Sequence, residues 1–233
     1  MKFDIITIFP EAFDSYLSTS ILARAQAKNF IDINTHSLRN FTTDAHQSVD
    51  DRPYGGGAGM VMMAEPILKA VKAVKKNRKG KIKIVLFSAK GAQFDQSKAR
   101  SWAKNYKNII FINGRYEGID ERVRTILKAD EISIGPYVLT DGDVAAMVVI
   151  SAISRLVPGV IKLESLQEES HWQTQLNDEG RGMLEYPHYT RPREIKWQGK
   201  IYRVPKVLLT GHHAAILKWR REQSQSMTAK RKL

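Results

Sequence analysis

The chain contains no cysteine, which excludes disulfides, thiolate metal sites and a cysteine nucleophile. Long apolar runs are also missing. The longest, residues 144–150, is far short of the roughly 18 residues that a membrane span needs. The first residues, MKFDIITIFPEAF, carry Asp4 and Glu11 and no apolar core of a signal peptide. The expectation is therefore a cytoplasmic protein with no membrane partner. The six histidines show no HExxH or comparable spacing, so no metal site is expected. No Gly-x-Ser-x-Gly elbow is present, which argues against a serine hydrolase. Acid is scarce: 37 Lys and Arg face 24 Asp and Glu, a net charge of +13.

The excess of base is uneven. Residues 196–233 hold ten bases and a single acid, Glu222, with Trp197, Tyr202 and Trp219 set among them. Bases interleaved with stacking surfaces suit a nucleic acid, because phosphate contacts release counterions and rings stack on unpaired bases. A second run, residues 69–83, has eight bases and no acid. It reads as a solvated helix face.

What remains is ordinary for a chain of 233 residues, 42% of them hydrophobic, and is enough to bury a core. The spacing predicts strands at 2–9, 31–35, 81–87, 108–112 and 131–134. It predicts helices at 11–28, 64–76, 94–105, 119–128 and 143–156. Strands alternating with helices imply a mainly parallel sheet covered on both faces. After Val157-Pro158-Gly159 the chain turns polar, Pro187, Pro192 and Pro205 punctuate it, and 211–223 is the last convincing helix. The boundaries drawn are a first domain at 1–160, a linker at 161–182 and a small basic domain at 183–233.

Open α/β sheets bind ligands beyond the carboxyl ends of their strands. Three glycine-bearing loops follow strands here: residues 88–91, 113–118 and 135–142. Together they would make one pocket walled by backbone donors and acceptors. A fourth glycine-rich stretch, residues 50–59, is followed by no Gly-Lys-Ser/Thr, so it is no P-loop. With Arg52 and Tyr54 against its glycines, it reads as a loop that closes over a substrate.

Five motifs carry a resemblance. DRPYGGGAGMVMM (51–63), GRYEGIDERV (114–123), SIGPYVL (133–139), SRLVPGV (154–160) and YPHYTRP (186–192) are similar, in order, to those of the bacterial tRNA (guanine-37-N1)-methyltransferase family of the SPOUT class. The resemblance spans nearly the whole chain. It implies an α/β fold with a SPOUT-type trefoil-knotted parallel-sheet domain, followed by a small, mostly helical C-terminal domain. It implies methyl transfer from S-adenosyl-L-methionine to N1 of guanosine 37, with the tRNA anticodon stem-loop as partner and a homodimer building each site at its interface. A Mg2+ requirement is compatible with the family. Two alternatives stay open: a SPOUT enzyme acting on another RNA, and a catalytically silent RNA-binding relative.

Carried over residue by residue, the resemblance assigns the donor site to Leu86, Ser88, Gly91, Gly114, Ile134, Gly135, Pro136, Tyr137, Val138, Leu139 and Gly142. Guanine N1 holds a proton and is a poor nucleophile until it leaves, so a general base is needed. The family has Asp-Ser-Phe in its linker. This chain has Glu169-Ser170-His171, which makes Glu169 the base, with Glu168 as the alternative. Arg155 is assigned to stabilise charge on guanine O6, although the end of a helix would also favour an arginine there. Glu117 is assigned to the guanine edge; its structural alternative is an ion pair with Arg115 or Arg122. Candidate RNA contacts are Arg52, Tyr54, His188, Tyr189, Arg191, Lys218, Arg220 and Arg221. The chain departs from the family at Ala89-Lys90 (usually Pro-Gln), Asp141 (usually Gly) and Ala145 (commonly Pro). The 172–181 stretch is longer than in the family and the C-terminal domain is short.

Overall fold

Alternating apolar residues along β1 (Lys2–Thr7) point to opposite faces of a sheet, and both faces are covered. The computed structural model describes residues 1–167, 169–171 and 184–230. The chain divides into two compact units, Met1–Ile161 and Lys162–Leu233. In chain order the first unit contains α1 (Asp14–Leu17), α2 (Ser20–Ala27), β2 (Asp32–Ser37), β3 (Asp50–Asp51), β4 (Val61–Met62) and α3 (Ala64–Lys76). It continues with β5 (Ile82–Gln93), α4 (Gln96–Asn105), β6 (Asn108–Ile112), α5 (Glu121–Leu127), β7 (Asp130–Ser133) and α6 (Asp143–Ser154). Five of the strands form a parallel sheet in the order β2-β1-β6-β5-β7.

Period-2 alternation sorts the side chains into two cores. Phe3, Ile5, Val85, Phe87, Ile109 and Phe111 face α1, α2, α4 and α6. Ile6, Ile84, Leu86, Ile110 and Ile112 face α3 and α5. On the first face Phe3, Phe111 and Phe87 stack across three strands, with centroids 6.1 and 5.5 Å apart. α3 buries Ile67, Ala70, Val71 and Val74, the spacing that places one helix face on the sheet. Burial of a side chain such as Ile67 contributes roughly 2 kcal/mol.

The structure departs from the sequence expectations in three places in this unit. The single helix expected over 11–28 is instead a 3-10 turn (Pro10–Phe13), α1 and α2. The Ser18 hydroxyl donates to the Asp14 carbonyl (2.6 Å) and that of Thr19 to Ser15 and Tyr16, so side chains occupy carbonyls that a continuing helix would use. The strand expected over 81–87 runs to Gln93, but Phe87 and Ala92 both lie opposite Ile132, so residues 88–91 loop out of the ladder. Residues 50–59 belong to a two-stranded antiparallel hairpin of β3 and β4, with the glycines at its tip.

Asp4, on the interior strand β1, is fully buried. His36 Nε2 donates to its Oδ1 (2.8 Å), and Arg78 donates from Nε to Oδ2 (2.7 Å) and from Nη2 to Oδ1. Burial alone would raise the pKa of this carboxyl, but the hydrogen bonds and positive charge of His36 and Arg78 hold it below the usual carboxylate value. A depressed folded pKa means that the stabilisation is complete at neutral pH. It is lost as pH falls below about 4, the unfolded value, through the folded one. Asp4→Asn should therefore destabilise the first unit by about 2 kcal/mol at pH 7. In urea unfolding the gap from the unsubstituted protein should close toward pH 3; a gap independent of pH would contradict this account.

In the second unit α7 (Leu163–Gln167), β8 (Glu194–Trp197), β9 (Lys200–Arg203) and α8 (His213–Lys230) are described. The β8–β9 hairpin, absent from the sequence expectation, pairs Ile195 with Tyr202 and Trp197 with Lys200. Its turn, Gln198-Gly199, has φ of 47° and 73°, the backbone that two-residue hairpins favour.

Candidate active site

The three loops at the carboxyl ends of β5, β6 and β7 surround one cavity of about 310 Å3, in the range of small-molecule sites. Its walls include Ser88 from the first loop and Leu86 on the strand before it, Gly114 to Gly118 from the second, and Tyr137, Val138, Leu139 and Gly142 from the third with Ile134 just before it. Backbone contacts draw the loops together. Gly142 N–H donates to the Gly114 carbonyl (2.9 Å), and Phe94 N–H to that of Ser133 (2.7 Å). A Cβ at Gly142 would lie 3.0 Å from Asn113 Cα, and one at Gly91 would lie 2.5 Å from Ile132 N. At Gly91 the chains approach so closely that only glycine fits, and at Gly142 a side chain would be crowded against the β6 loop.

Gly91, Gly135 and Pro136 do not line the cavity. Gly91 packs on the backbone of β7, Gly135 is buried against the Tyr137 ring, and Pro136 is exposed. The other donor-site residues expected from the sequence do line it. Lys90, Arg115, Asp120, Glu121, Arg124, Glu131 and Asp141, which the sequence reading did not select, also contribute to the wall.

Behind the wall lies a buried polar cluster. Asp143, in the first turn of α6 and 3% exposed, accepts from Thr7 Oγ1 (2.8 Å), Asn113 Nδ2 (2.8 Å) and Arg115 Nη2 (2.9 Å). Arg115 also meets Asp141 at 3.3 Å, lies over the Phe9 ring at 4.5 Å, and keeps Nε buried with no hydrogen-bond partner among the described residues. Asp141, where the family usually has Gly, accepts from the N–H of Asp143 (2.9 Å) at the start of α6. A short acidic side chain there satisfies a helix-end donor and favours the positive end of the helix.

Charge at the cavity is also ordered. Glu121 pairs with Arg124, whose hydrogen bond pulls its carboxyl below the usual range. Arg122 pairs with Asp120 at 2.6 Å. Arg115 is committed to Asp141 and Asp143, so neither arginine weighed as a partner takes Glu117. Glu117 is exposed, lies against Gly59 and has no ion pair among the described residues. Its loop is strapped to the β3–β4 hairpin: Glu117 N–H donates to the Met60 carbonyl (3.1 Å) and Met62 N–H to that of Gly118 (2.9 Å). Arg52 and Tyr54 sit exposed at the tip of that hairpin.

Arg155 caps the C-terminus of α6, half-buried and outside the cavity wall. In the second unit the Glu169 N–H donates to the Leu166 carbonyl, and Glu185 N–H donates to Ser170 Oγ (3.0 Å). Glu168 and the 172–181 stretch lie outside the described residues. His188 stacks near Tyr186 (4.8 Å), Tyr189 near Trp219 (6.3 Å), and Arg220 covers the Tyr186 ring at 4.6 Å. Lys218, Arg221 and Arg191 are exposed. The half-buried Arg220 thus has a packing part beside any RNA contact.

A doubly covered parallel sheet with a glycine-walled cavity at its strand ends defines an α/β protein of the ligand-binding, enzyme-forming class. The family it falls in follows from comparison: residues 1–233 match the family described as tRNA (Guanine-1)-methyltransferase TrmD, and the chain belongs to that family. A curated relative from Thermomicrobium roseum, named tRNA (guanine-N(1)-)-methyltransferase, is 50% identical over 232 residues, covering 100% of this chain and 82% of the relative. Relatives of the same name from Carboxydothermus hydrogenoformans (50% identical; 96% of this chain, 83% of the relative) and Chloroflexus aggregans (50%; 100% and 86%) are similar throughout.

Proposed function

We propose that the chain methylates N1 of guanosine 37 in tRNA, with S-adenosyl-L-methionine as donor. Family membership supports the reaction, and one geometric observation carries its assignment to this cavity. A carboxylate without an ion pair among the described residues, Glu117, stands at the wall of a glycine-lined cavity where three strand-end loops meet.

The residues fit the donor. Backbone edges of the loops at 114–118 and 134–142 suit an adenine and ribose. The orphaned Nε of Arg115 suits an acceptor, and Glu117 suits a cationic ligand. When bound, the donor supplies an electrophilic methyl on a sulfonium. The protein's own part is to bring the purine to it and to move a proton. Glu117 accepts hydrogen bonds from the guanine edge and fixes its orientation. Glu169 takes the N1 proton, and Arg155 stabilises the negative charge that then spreads to O6. The target base must be unstacked to reach the cavity, which an anticodon loop permits at low cost. Among the described residues no three of His, Asp or Glu are grouped to hold a cation.

Two features support pairing of two copies and a knotted path. α6 is apolar nearly all round, and Val144 and Val148, one turn apart, are exposed on it. An apolar outer stripe suits a second copy. The Gly142–Gly114 hydrogen bond holds the segment after β7 against the β6 loop, as a threaded segment would be held. The exposed Trp197, Tyr202 and Lys200 of the β8–β9 hairpin give the second unit a surface suited to RNA. Among the described residues no helix is long and apolar enough to cross a membrane, and the reading places the protein with its tRNA in the cytoplasm.

The test is methylation of a guanosine-37 transcript beside its adenosine-37 variant, with mass mapping of the modified nucleotide. Methyl incorporation at N1 of position 37 in the first transcript alone is expected. Incorporation elsewhere, or RNA binding without incorporation, would replace this reading with a different RNA target or a silent relative.

A further inference from the structure

The run of bases at 69–83, which reads from sequence as a solvated face, is brought by the fold against bases from elsewhere. β1, β5 and β6 begin side by side, with Lys2 and Ile82 both opposite Asn108. At these amino ends lies an open cavity of about 630 Å3 whose wall includes Lys2, Arg78, Lys79, Lys104 and Lys107 and no acidic residue. Tyr106 is part of the same wall, with Lys81 Nζ 4.8 Å and Lys83 Nζ 5.3 Å from its ring.

Some of this charge is spoken for. Lys2 pairs with Asp32, Arg78 with Asp4 and Lys83 with Asp130. Lys79, Lys81, Lys104 and Lys107 are exposed and have no ion pair among the described residues. A helix C-terminus attracts cations, which accounts for Lys104 in the last turn of α4. It does not account for Lys79, Lys81 and Lys107, which lie in the connections beyond helix ends, where the effect has decayed. The backbone under them is fixed: Asn108 Nδ2 donates to the Lys79 carbonyl (2.9 Å) and Lys2 N–H to the Lys107 carbonyl (2.8 Å). Lys79, Lys104 and Lys107 share the concave wall, with Lys81 beside them over the Tyr106 ring, and like charges gathered in this way favour an anion between them.

We infer that this basic end of the sheet holds backbone phosphates of the tRNA body, outside the arm that is methylated. The inference rests on the tRNA reading above. Strands of five or six residues put this end roughly 17–20 Å from the loops around the donor cavity. A nucleotide inserted there cannot supply phosphate to both ends, so the phosphates come from another part of the same molecule. Lysines, as hydrated point charges, suit such sequence-independent contacts.

The test compares the unsubstituted protein with a Lys79→Gln/Lys104→Gln/Lys107→Gln variant on full-length tRNA and on an isolated anticodon stem-loop. Three lost phosphate contacts should reduce the slope of log K against log salt by about 2 to 3 on full-length tRNA, with binding there weakened about tenfold or more. The KM for tRNA should rise, while kcat, donor affinity and thermal midpoint stay unchanged. Binding of the stem-loop should not change. Equal slopes for the two proteins on full-length tRNA, or an equal loss on the stem-loop, would overturn the inference. If the unsubstituted protein transfers no methyl group, the functional reading fails, and the binding comparison still judges the basic surface by itself.

Discussion

Glu169→Ala should lower kcat for tRNA methylation by about 10^2- to 10^4-fold, the contribution usual for a positioned general base, and leave S-adenosyl-L-methionine affinity unchanged. The expectation follows from the acceptor atom. Guanine N1 keeps its proton at neutral pH and offers no free lone pair in the ring plane, so nucleophilicity appears only as that proton departs. A group that acts on the proton and not on the donor should affect turnover while ground-state binding stays as it was. Glu169→Gln, which keeps size and hydrogen bonding but cannot accept a proton, should lose as much as alanine. Equilibrium titration of the donor and single-turnover methylation of a guanosine-37 transcript separate the two effects. Unchanged single-turnover rates in both variants would move the role to Glu168, and the same pair of substitutions there would settle it. Loss of donor affinity together with rate would make Glu169 a structural residue of the linker.

The parts of this molecule that were legible in its sequence are those where one local rule decides. α3 follows from a clean helical stripe at Ile67, Val71 and Val74 with Pro66 in the first turn, and its bounds in the structure are those expected. β6, NIIFI, is buried on both faces and reads as a short apolar run. The three strand-end loops were legible for the same reason, since glycines after apolar runs mark the carboxyl edge of such a sheet. The parts that were not legible depend on partners distant in sequence. The polar cluster behind the cavity joins Thr7, Asn113, Arg115 and Asp143 from three segments, and no spacing rule connects them. The grouping of bases at the amino end of the sheet was not legible for the same reason. Nothing local to the 69–83 run shows that Lys104 and Lys107 share a cavity wall with Arg78 and Lys79. The β8–β9 hairpin did leave a signal in Gln198-Gly199 between alternating apolar residues, but the polar, proline-punctuated surroundings obscured it. Dimer pairing, the knot and residue roles came from resemblance, because a global path and a partner surface have no local pattern.

The cluster around Asp143 leads to the second large effect. Asp143→Ala should destabilise the first unit by about 3–5 kcal/mol, the range for removing one partner from a buried charged group, which lowers its thermal midpoint by about 10 °C. Three donors converge on one carboxylate that is almost without solvent access. Thr7 (1% exposed) and Asn113 (2%) cannot turn to water, so their polar groups stay buried and unpaired. Asp143→Asn can keep the oxygen that Thr7 and Asn113 share but turns an N–H group toward Arg115, and should cost less than alanine. Both variants should also weaken donor binding, because Arg115 loses its stronger anchor and Gly114 is covalently joined to Asn113 at the cavity wall. Denaturant unfolding measures the first effect and donor titration well below the midpoint measures the second. If stability falls but donor affinity holds, Asp143 supports the core alone; if neither moves, the carboxylate is not the anchor that its three hydrogen bonds make it. Retained affinity in Asp141→Gly would show that the 3.3 Å contact to Arg115 is dispensable and that Asp143 alone positions the guanidinium.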